Sequence, residues 1–365
     1  MKTSSKCSAS RRSLHGATAA LVGAILMNGS AVAAVPIYRI VLLPEPPGTL
    51  HSSARAISDE GEVVGDYVAS DFSGSAVTWG TAPYAPQALA ALPSQTAAMV
   101  SDVNDAGFVV GSVNIDAASI AVMWDPSGAI VELGDLLGGL VGSAASGINA
   151  SGVAVGHGTS TRVRVEPVFW TVPGQTRRLN RNRLSGNATG LNDSGVVAGY
   201  YTSALPLSIT HAARWRIGRP RMQDLGDLPG GSDFSKAYAI NEFGQIAGTS
   251  QSDLGARAVL WETNGSMTDL GDLGVGSTYV AMDINQPGQV LGYYDNAGIR
   301  QAFLWTATDG MMDVHDLIDP ADPLREQFGS AFVSLNAIND SGLIVGSMYP
   351  DPEDSNPHAI VLVPE

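Results

Sequence analysis

The segment at residues 284–292 reads INQPGQVLG, and its pattern recurs along the chain. In order, the pattern has an apolar residue, then Asn or Ser, then two variable residues and Gly. A variable residue, an apolar residue, another variable residue and a second Gly complete it. Its seven copies occupy residues 57–65, 103–111, 148–156, 191–199, 240–248, 284–292 and 338–346. Their closing glycines follow one another at intervals of 43 to 54 residues. A period of this length is typical of repeat architectures, in which each copy is one supersecondary unit.

Each copy contains four short segments of strand composition. In the fifth copy these are residues 235–241, 245–250, 257–261 and 267–271, which are separated by turn-forming Gly and Asn residues. Asn tolerates the left-handed backbone and Gly adopts positive φ freely, so the Asn-x-x-Gly element is interpreted as a hairpin turn. This pattern predicts an all-β fold, a seven-bladed β-propeller with four short antiparallel strands per blade. An open β-solenoid is the alternative, although its coils usually repeat at shorter periods.

The two ends of the chain favour a closed ring. The seventh copy supplies only three strand segments, at residues 335–339, 343–347 and 358–363, while a further strand segment at 37–43 precedes the first copy. An N-terminal strand that completes the last blade, a 3+1 closure, would remove two exposed sheet edges. The predicted blades are residues 45–93, 94–137, 138–183, 184–228, 229–273, 274–320 and 321–365, the last completed by the strand at 37–43.

The tryptophans follow the same period. One lies at the end of the third strand segment in each of six copies, at Trp79, Trp124, Trp170, Trp215, Trp261 and Trp305. A large ring at this position can pack against the neighbouring blade and bury on the order of 200 Å². The tryptophans are therefore predicted to be core residues rather than groups that stack on a cofactor.

Two kinds of motif recur beside the tryptophans. HAARW at 211–215 and QAFLW at 301–305 are of the first kind, and MTDLGDLG at 267–274 is of the second. They resemble the H-A-F-x-W and M-x-D-L-G-x-L-G-G signatures of the extracellular HAF-repeat family. The likeness covers nearly the whole chain after residue 36, and departs from the family pattern where Leu362 stands in place of tryptophan. The resemblance implies export and a repeat fold, but no reaction and no catalytic residues.

Residues 1–34 differ in composition from the repeats. Basic residues precede an apolar segment at 17–27, and AVA at 31–33 is typical of a signal-peptidase site. We therefore expect a signal peptide at 1–34 and a single propeller at 35–365 that is periplasmic or extracellular. Cys7, the only cysteine, lies in this leader, so no disulfide is expected in the mature chain. A net charge of −15 disfavours nucleic acid as a partner, and no membrane span is expected after the leader.

The residues that should line the channel favour binding over catalysis. The first strand segments carry only four charged residues, Arg55, Asp102, Lys236 and Asp283, and no recognised catalytic motif accompanies them. We expect a binding or scaffold protein for a glycan, another extracellular polymer or a surface protein. The alternative is an extracytoplasmic hydrolase or lyase with its site at the mouth of the channel. No cofactor is predicted.

Loops around the closing blade form the first candidate site. The propeller places the second-to-third and fourth-to-first connections on one face, and the longest connection, at 316–334, belongs to it. The candidate residues are His51, His315, His358, Asp316, Asp319, Arg325 and Asp351. Imidazole and carboxylate groups suit a divalent cation or a sugar, although no ligand spacing supports a metal.

A group of arginines in the third and fourth copies forms the second candidate site. Its members are Arg177, Arg178, Arg181, Arg183, Arg214, Arg216, Arg219 and Arg221. The propeller places them on outer strands of adjacent blades, where guanidinium groups suit carboxylate, sulfate or phosphate. The predicted ligand is an anionic polysaccharide that is bound weakly and in a salt-sensitive manner. A solvated edge that discourages strand pairing is the alternative explanation.

Overall fold

The computed structural model describes residues 35–137, 142–161, 164–180, 184–203, 209–330, 333–350 and 356–365. The predicted signal peptide lies outside these ranges. The described regular structure is β-strand apart from a 3₁₀ helix at Val314–Leu317 and a short helix, α1, at Arg325–Ser330. Among the described residues, no helix has the length and apolar character needed to cross a membrane.

The strands follow one another in antiparallel hairpins. In chain order they are β1 (Tyr38–Leu42), β2 (Thr49–Ile57), β3 (Val63–Ala69), β4 (Gly74–Gly80), β5 (Gln87–Ala88), β6 (Ala97–Val103), β7 (Val109–Ile115), β8 (Ala118–Trp124), β9 (Ile130–Glu132), β10 (Ala144–Ile148), β11 (Ala154–Thr159), β12 (Val165–Trp170), β13 (Thr176–Arg178), β14 (Ser185–Leu191), β15 (Val196–Thr202), β16 (Thr210–Arg216), β17 (Arg219–Asp224), β18 (Gly230–Ile240), β19 (Ile246–Ser252), β20 (Gly255–Trp261), β21 (Met267–Asp269), β22 (Thr278–Ile284), β23 (Val290–Asn296), β24 (Ile299–Thr306), β25 (Gly310–Asp313), β26 (Ser334–Ile338), β27 (Ile344–Met348) and β28 (His358–Pro364).

These strands form seven four-stranded blades. Six blades are β2–β5, β6–β9, β10–β13, β14–β17, β18–β21 and β22–β25, and the seventh pairs in the order β1, β28, β27, β26. Single parallel pairings, Thr210 with Phe234 and Ala256 with Thr278, join blades four, five and six into one 12-stranded sheet. The pairing of β1 with β28 runs antiparallel from Tyr38 opposite Pro364 to Leu42 opposite Ile360. The predicted seven-bladed propeller, with its 3+1 closure by the N-terminal strand, is confirmed.

The two glycines of the repeat have different roles. The first ends the Asn-x-x-Gly turn with φ between +74° and +86°, a region in which other residues are strained, so the hairpin interpretation is confirmed. The closing glycine faces a β-bulge in the first strand of its own blade. A Cβ atom at any closing glycine would overlap a main-chain oxygen of that strand, as at Gly248, where it would meet the Lys236 carbonyl. The bulge therefore requires glycine at this position.

The hydrophobic core lies between neighbouring blades. Each of five tryptophans is at most 1% exposed, while Trp305 is half-buried. The indole N–H groups of Trp79 and Trp124 donate to the main-chain oxygens of Pro44 and Ala90, at 2.7 and 2.8 Å. Both acceptors lie in the connection from the preceding blade. The tryptophans are core residues, as predicted, and hold one blade against the next.

The segment between blades six and seven holds the closing strand in place. The Asp319 main-chain N–H donates to the Tyr38 oxygen at 2.8 Å. The side chain of Asp322, 8% exposed, accepts from the N–H of Ile40 through Oδ2 and from that of Leu324 through Oδ1, both at 2.8 Å. The longest connection between blades thus secures the outer edge of β1.

Candidate functional site

The repeat asparagines link the blades in a ring at one end of the channel. We call this end, where the first two strands of each blade connect, the lower face, and the opposite end the upper face. At six copies the Asn Nδ2 donates to the main-chain oxygen at the same position of the next blade, at 2.9 to 3.4 Å. The donors are Asn104, Asn149, Asn192, Asn241, Asn285 and Asn339, and the last acceptor is Ser58. Ser58 interrupts the ring because its hydroxyl accepts from the Glu62 N–H of its own turn.

A second ring, mainly of carboxylates, follows at the lower mouth of the channel. Its side chains line a cavity of about 190 Å³ and are Asp59, Asp105, Asp193, Glu242, Gln286 and Asp340. Each accepts a main-chain N–H from the preceding blade at 2.7 to 3.0 Å. Burial raises the pKa of Asp59 and Glu242, and neighbouring carboxylates raise both further. One oxygen of each of these side chains thus binds a backbone donor of the preceding blade, and the ring joins consecutive blades.

A further cavity of about 250 Å³ lies inside the channel. A β-bulge turns one additional side chain per blade out of the strand ladder. Six of these bulge residues line the cavity: Arg55, Ser101, Ser146, Thr189, Met282 and Asn336. The charge of Arg55 is balanced by Asp66, whose Oδ1 lies 2.6 Å from its Nε. The cavity wall is therefore mostly hydroxyl, amide and aliphatic.

Two carboxyl groups, Asp102 and Asp283, complete the wall of this cavity. Each accepts its own neighbour's N–H and one from the next blade, Ile148 for Asp102 and Ile338 for Asp283, all at 2.8 Å. Burial raises the pKa of Asp102 to about 7 and that of Asp283 to about 6. These groups titrate near neutrality, yet both oxygens of each are engaged by the backbone.

Aromatic and cationic side chains from blades four to six gather at the upper mouth of the channel. The Lys236 Nζ lies 4.6 Å from the ring centroid of Tyr200 and 5.6 Å from that of Phe234. The Arg300 guanidinium carbon lies 3.9 Å from the ring centroid of Tyr293. Such distances are those of cation–π contacts. Lys236 has no carboxylate partner among the described residues, so its charge is open to a ligand.

Tyr238 lies beside this group. It is the bulge residue of blade five, between Ala237 and Ala239. Burial raises its pKa to about 12, and the phenols of Tyr293 and Tyr200 contribute to the rise because they lie nearby. Three phenols from three consecutive blades, Tyr200, Tyr238 and Tyr293, form with Phe234, Lys236 and Arg300 what we call the aromatic lip. Apolar rings flanked by hydrogen-bonding groups are typical of small-molecule sites.

The predicted loop site is divided among separate contacts. His358 Nδ1 lies 2.8 Å from Glu45 Oε1, and His315 Nδ1 lies 4.0 Å from Asp316 Oδ1. His51 is a half-buried residue of β2 and belongs to neither pair. Arg325 donates to the main-chain oxygen of Ile318.

The remaining loop residues do not assemble a metal centre either. Asp319 Oδ1 accepts from the Ala321 N–H at 2.8 Å within its own turn, and Asp351 lies outside the described residues. In the described part of the chain, no three or more His, Cys, Asp or Glu side chains are grouped so that they could hold a metal ion.

The predicted arginine site is placed along the outer flank of blades three and four. Arg177 and Arg178 lie on β13, and the arginines at 214, 216, 219 and 221 lie on β16 and β17. Four of the six line one cavity of about 210 Å³, namely Arg177, Arg178, Arg216 and Arg219. Arg181 and Arg183 lie outside the described residues.

Sequence reasoning missed the aromatic lip. Tyr200 and Tyr293 each follow a closing glycine directly, and that position was visible in the repeat. What the sequence did not show was the bulge that brings Tyr238 to the same end of the channel. Sequence reasoning also missed that the repeat asparagines donate hydrogen bonds to the next blade, because the turn by itself is sufficient to explain why asparagine occupies this position.

The blades, their closure and the central channel define the class of this protein as a β-propeller. No protein-family model and no curated protein matches the chain. Solved structures do match. A catalytically inactive virginiamycin B lyase from Staphylococcus aureus with quinupristin has a TM-score of 0.53 at 14% identity, over 89% of this chain and 99% of that one.

Two proteases share the architecture. A prolyl endopeptidase matches with a TM-score of 0.54 at 11% identity, over 90% of this chain and 50% of its own, so this chain spans about half of that enzyme. The propeller domain of the Trilobed protease from Pyrococcus furiosus matches at 0.52 and 10% identity, over 86% and 95%. That domain has an open velcro topology, whereas here β1 closes the ring. At such identities the likeness shows the fold alone.

Proposed function

We propose that this chain is an exported HAF-repeat propeller that binds a glycan at the upper mouth of its channel. The observation that carries the proposal is the aromatic lip, where Tyr200, Tyr238 and Tyr293 come from three consecutive blades beside Lys236, which has no carboxylate partner among the described residues. Sugar rings present apolar C–H faces and a rim of hydroxyls. Aromatic rings, phenol hydroxyls and a cation supply the matching contacts.

The channel below the lip supports the same function. The hydroxyls of Ser101 and Ser146 face a cavity of about 250 Å³, a volume suited to a single sugar ring. The Asn336 amide already donates to the Ala54 oxygen at 2.7 Å, so it is held rigidly in the wall. Hydrogen-bonding groups that are already held in place, such as this amide, can orient a ligand with little further ordering cost.

The experiment is a glycan-array screen of the mature chain, followed by calorimetric titration of any oligosaccharide retained. Tyr200→Ala and Tyr293→Ala should each weaken binding by about tenfold, because one stacked ring contributes about 1.4 kcal/mol. Tyr84→Ala, a half-buried tyrosine outside the lip, is the matched control and should bind normally. Absence of any retained glycan, or equal losses in the control, would contradict the proposal.

A hydrolase or lyase is the second candidate, and one observation favours it. Asp102 and Asp283 have pKa values near 7 and 6, a range suited to general acid and base catalysis. Their four backbone hydrogen bonds argue for a structural role instead. If the bound glycan is cleaved and Asp102→Asn abolishes cleavage while binding persists, catalysis is the better account.

Export is proposed from the leader and from the HAF-repeat likeness. The mature protein would then be periplasmic or extracellular. Mass spectrometry of the chain after expression with its leader should find residues 1–34 removed, and a full-length cytoplasmic product would contradict export.

A further inference from the structure

The arginines of blades three and four differ in how their charges are balanced. Arg178 Nε lies 2.6 Å from an oxygen of Glu166, which is 2% exposed. Arg214 donates to Gln223 at 2.9 Å and to the Thr263 oxygen of blade five at 3.2 Å. These two guanidiniums have fixed structural partners, so neither is offered to a ligand.

Four other arginines have no such partner. Arg177, Arg216, Arg219 and Arg221 are exposed, and no carboxylate of the described residues lies within ion-pair distance of any of them. The chain as a whole carries a net charge of −15, so neutralising carboxylates are plentiful elsewhere on its surface. Four unpaired guanidiniums on one flank of an acidic protein are therefore a local feature and do not follow from composition.

Arg216 and Arg219 stand directly opposite each other across the β16–β17 hairpin. Like charges in directly opposed strand positions destabilise a sheet, by about 0.2–1 kcal/mol. The turn between them is Ile217-Gly218, with Gly218 at φ +78°, and it brings neither an acidic residue nor another neutralising group. An anion that lies between the two guanidiniums would remove this repulsion.

The shape of the surface extends this pair into a groove. One cavity, of about 390 Å³, lies between blades four and five and is lined by Arg214, Arg216 and Arg221. The cavity of about 210 Å³ between blades three and four is lined by Arg216 and Arg219 together with Arg177. Arg216 lines both, so the two cavities lie on either side of this one side chain at blade four. We call this surface the arginine groove.

The inner wall of the arginine groove limits which ligand fits. Phe243 lines the larger cavity and is 69% exposed, which offers a ring face for an apolar surface. Glu242 lines it as well and would repel a second closely spaced anion. The groove therefore suits a chain whose negative charges are separated by neutral rings, and it suits the dense phosphates of nucleic acid poorly.

We propose that the arginine groove binds an anionic polysaccharide, with carboxylate or sulfate groups at the Arg216–Arg219 pair and a sugar ring against Phe243. The hairpin that carries this pair joins the third and fourth strands, so it lies on the lower face. The site is thus separate from the aromatic lip and goes beyond the function proposed for the channel. It would let one propeller hold a polymer at its flank and a second glycan at its mouth.

The test uses the full mature chain on surfaces of polygalacturonate, dextran sulfate and uncharged dextran. Wild-type protein should bind one or both anionic polymers and not dextran, and binding should weaken as NaCl is raised from about 50 to about 300 mM. Retention on one anionic polymer alone would identify carboxylate or sulfate as the bound group. Binding to uncharged dextran of equal strength, no binding to either anion, or preferential binding to duplex DNA would overturn the proposal.

Two double variants, each lacking two arginines, are compared. Arg216→Ser/Arg219→Ser should reduce affinity by about tenfold or more, whereas Arg39→Ser/Arg164→Ser, which removes two arginines elsewhere, should change it by less than about twofold. Equal losses in both would show that bulk charge is responsible and would overturn the site. Thermal melting gives a second readout. Without polymer the first variant should melt no lower than wild type, and saturating polymer should raise the melting temperature of wild type only.

Discussion

The asparagine ring can be broken at one atom by Asn192→Asp. Asn192, 1% exposed, donates through Nδ2 to the Asn241 oxygen at 3.2 Å. Its Oδ1 accepts from the Val196 N–H at 3.0 Å and from the Ser194 hydroxyl at 2.9 Å. Aspartate keeps both acceptor bonds of the turn and loses the donor. The substitution therefore leaves the hairpin intact and removes the bond between blades four and five.

The expected loss follows from the groups left behind. The bond itself contributes about 1 kcal/mol, and a buried oxygen left without its donor adds about 1–3 kcal/mol. A carboxylate now faces that oxygen, so we expect unfolding to become easier by about 3 kcal/mol. For a chain of this size this lowers the melting temperature by about 4 °C. The loss should shrink at acidic pH, because a protonated carboxyl can donate as the amide did.

The control is Asn264→Asp. Asn264 occupies an exposed turn in which only Oδ1 is used, by the N–H and the hydroxyl of Ser266, both at 2.8 Å. Asp125 already serves the same purpose with Ser127 in blade two. Denaturant unfolding at pH 8 and pH 4.5 should show a large, pH-dependent loss for Asn192→Asp alone. Equal stability of the two variants would refute the idea that the repeat asparagine is selected as a donor.

Two further predictions concern the channel and the closing strand. Burial raises the pKa of Asp102 to about 7 and of Asp283 to about 6, so the folded chain holds protons that the unfolded chain has released. The stability that these protons contribute is complete below about pH 4 and falls as the pH rises to about 7. The double variant Asp102→Asn/Asp283→Asn should make the free energy of unfolding less dependent on pH over this range. If chemical denaturation shows the same pH dependence for the variant as for wild type, the prediction is contradicted. Removal of residues 35–44 takes away the buried side chains of Tyr38, Ile40 and Leu43, whose burial contributes about 1.5–3 kcal/mol each. The truncated chain should therefore lose cooperative unfolding. A truncated chain that melts like the full one would contradict the closed ring.

The fold could be predicted because the sequence pattern of one blade recurs seven times along the chain. Turn glycines, strand segments and tryptophans all recur at the same spacing, and each depends on contacts within one blade or with its immediate neighbour. The closure was predictable for a related reason, since a blade with three strands leaves an edge that the segment at 37–43 can cover. Sequence patterns within one repeat were sufficient to predict the architecture, because each blade contacts only its immediate neighbours.

The candidate sites were less accessible to the same reasoning. The arginine groove could be anticipated, because Arg216 and Arg219 flank a visible turn. Their lack of partners could not, since Arg178, in a similar setting, pairs with the buried Glu166. The connection at 316–334 is predicted to be a ligand site because it is long and polar. Its contacts explain the length differently, since Asp319 and Asp322 hold β1 to the ring.

Side chains at the lower end of the channel mainly join the blades, whereas those further up are the candidates for binding a ligand. At the lower mouth the asparagine amides bind backbone oxygens of the next blade and the carboxylates bind backbone N–H groups of the preceding blade, so a substitution there first weakens the contacts between blades. Further up, the bulge frees one side chain per blade from the ladder, and these side chains differ in kind, from Arg55 and Met282 to Tyr238. Asn336 and Thr189 are bonded to neighbouring blades, but a bulge side chain without such a bond is free to serve a ligand. The ligand-specific residues of this propeller should therefore be sought at the bulges and at the tyrosines beside them.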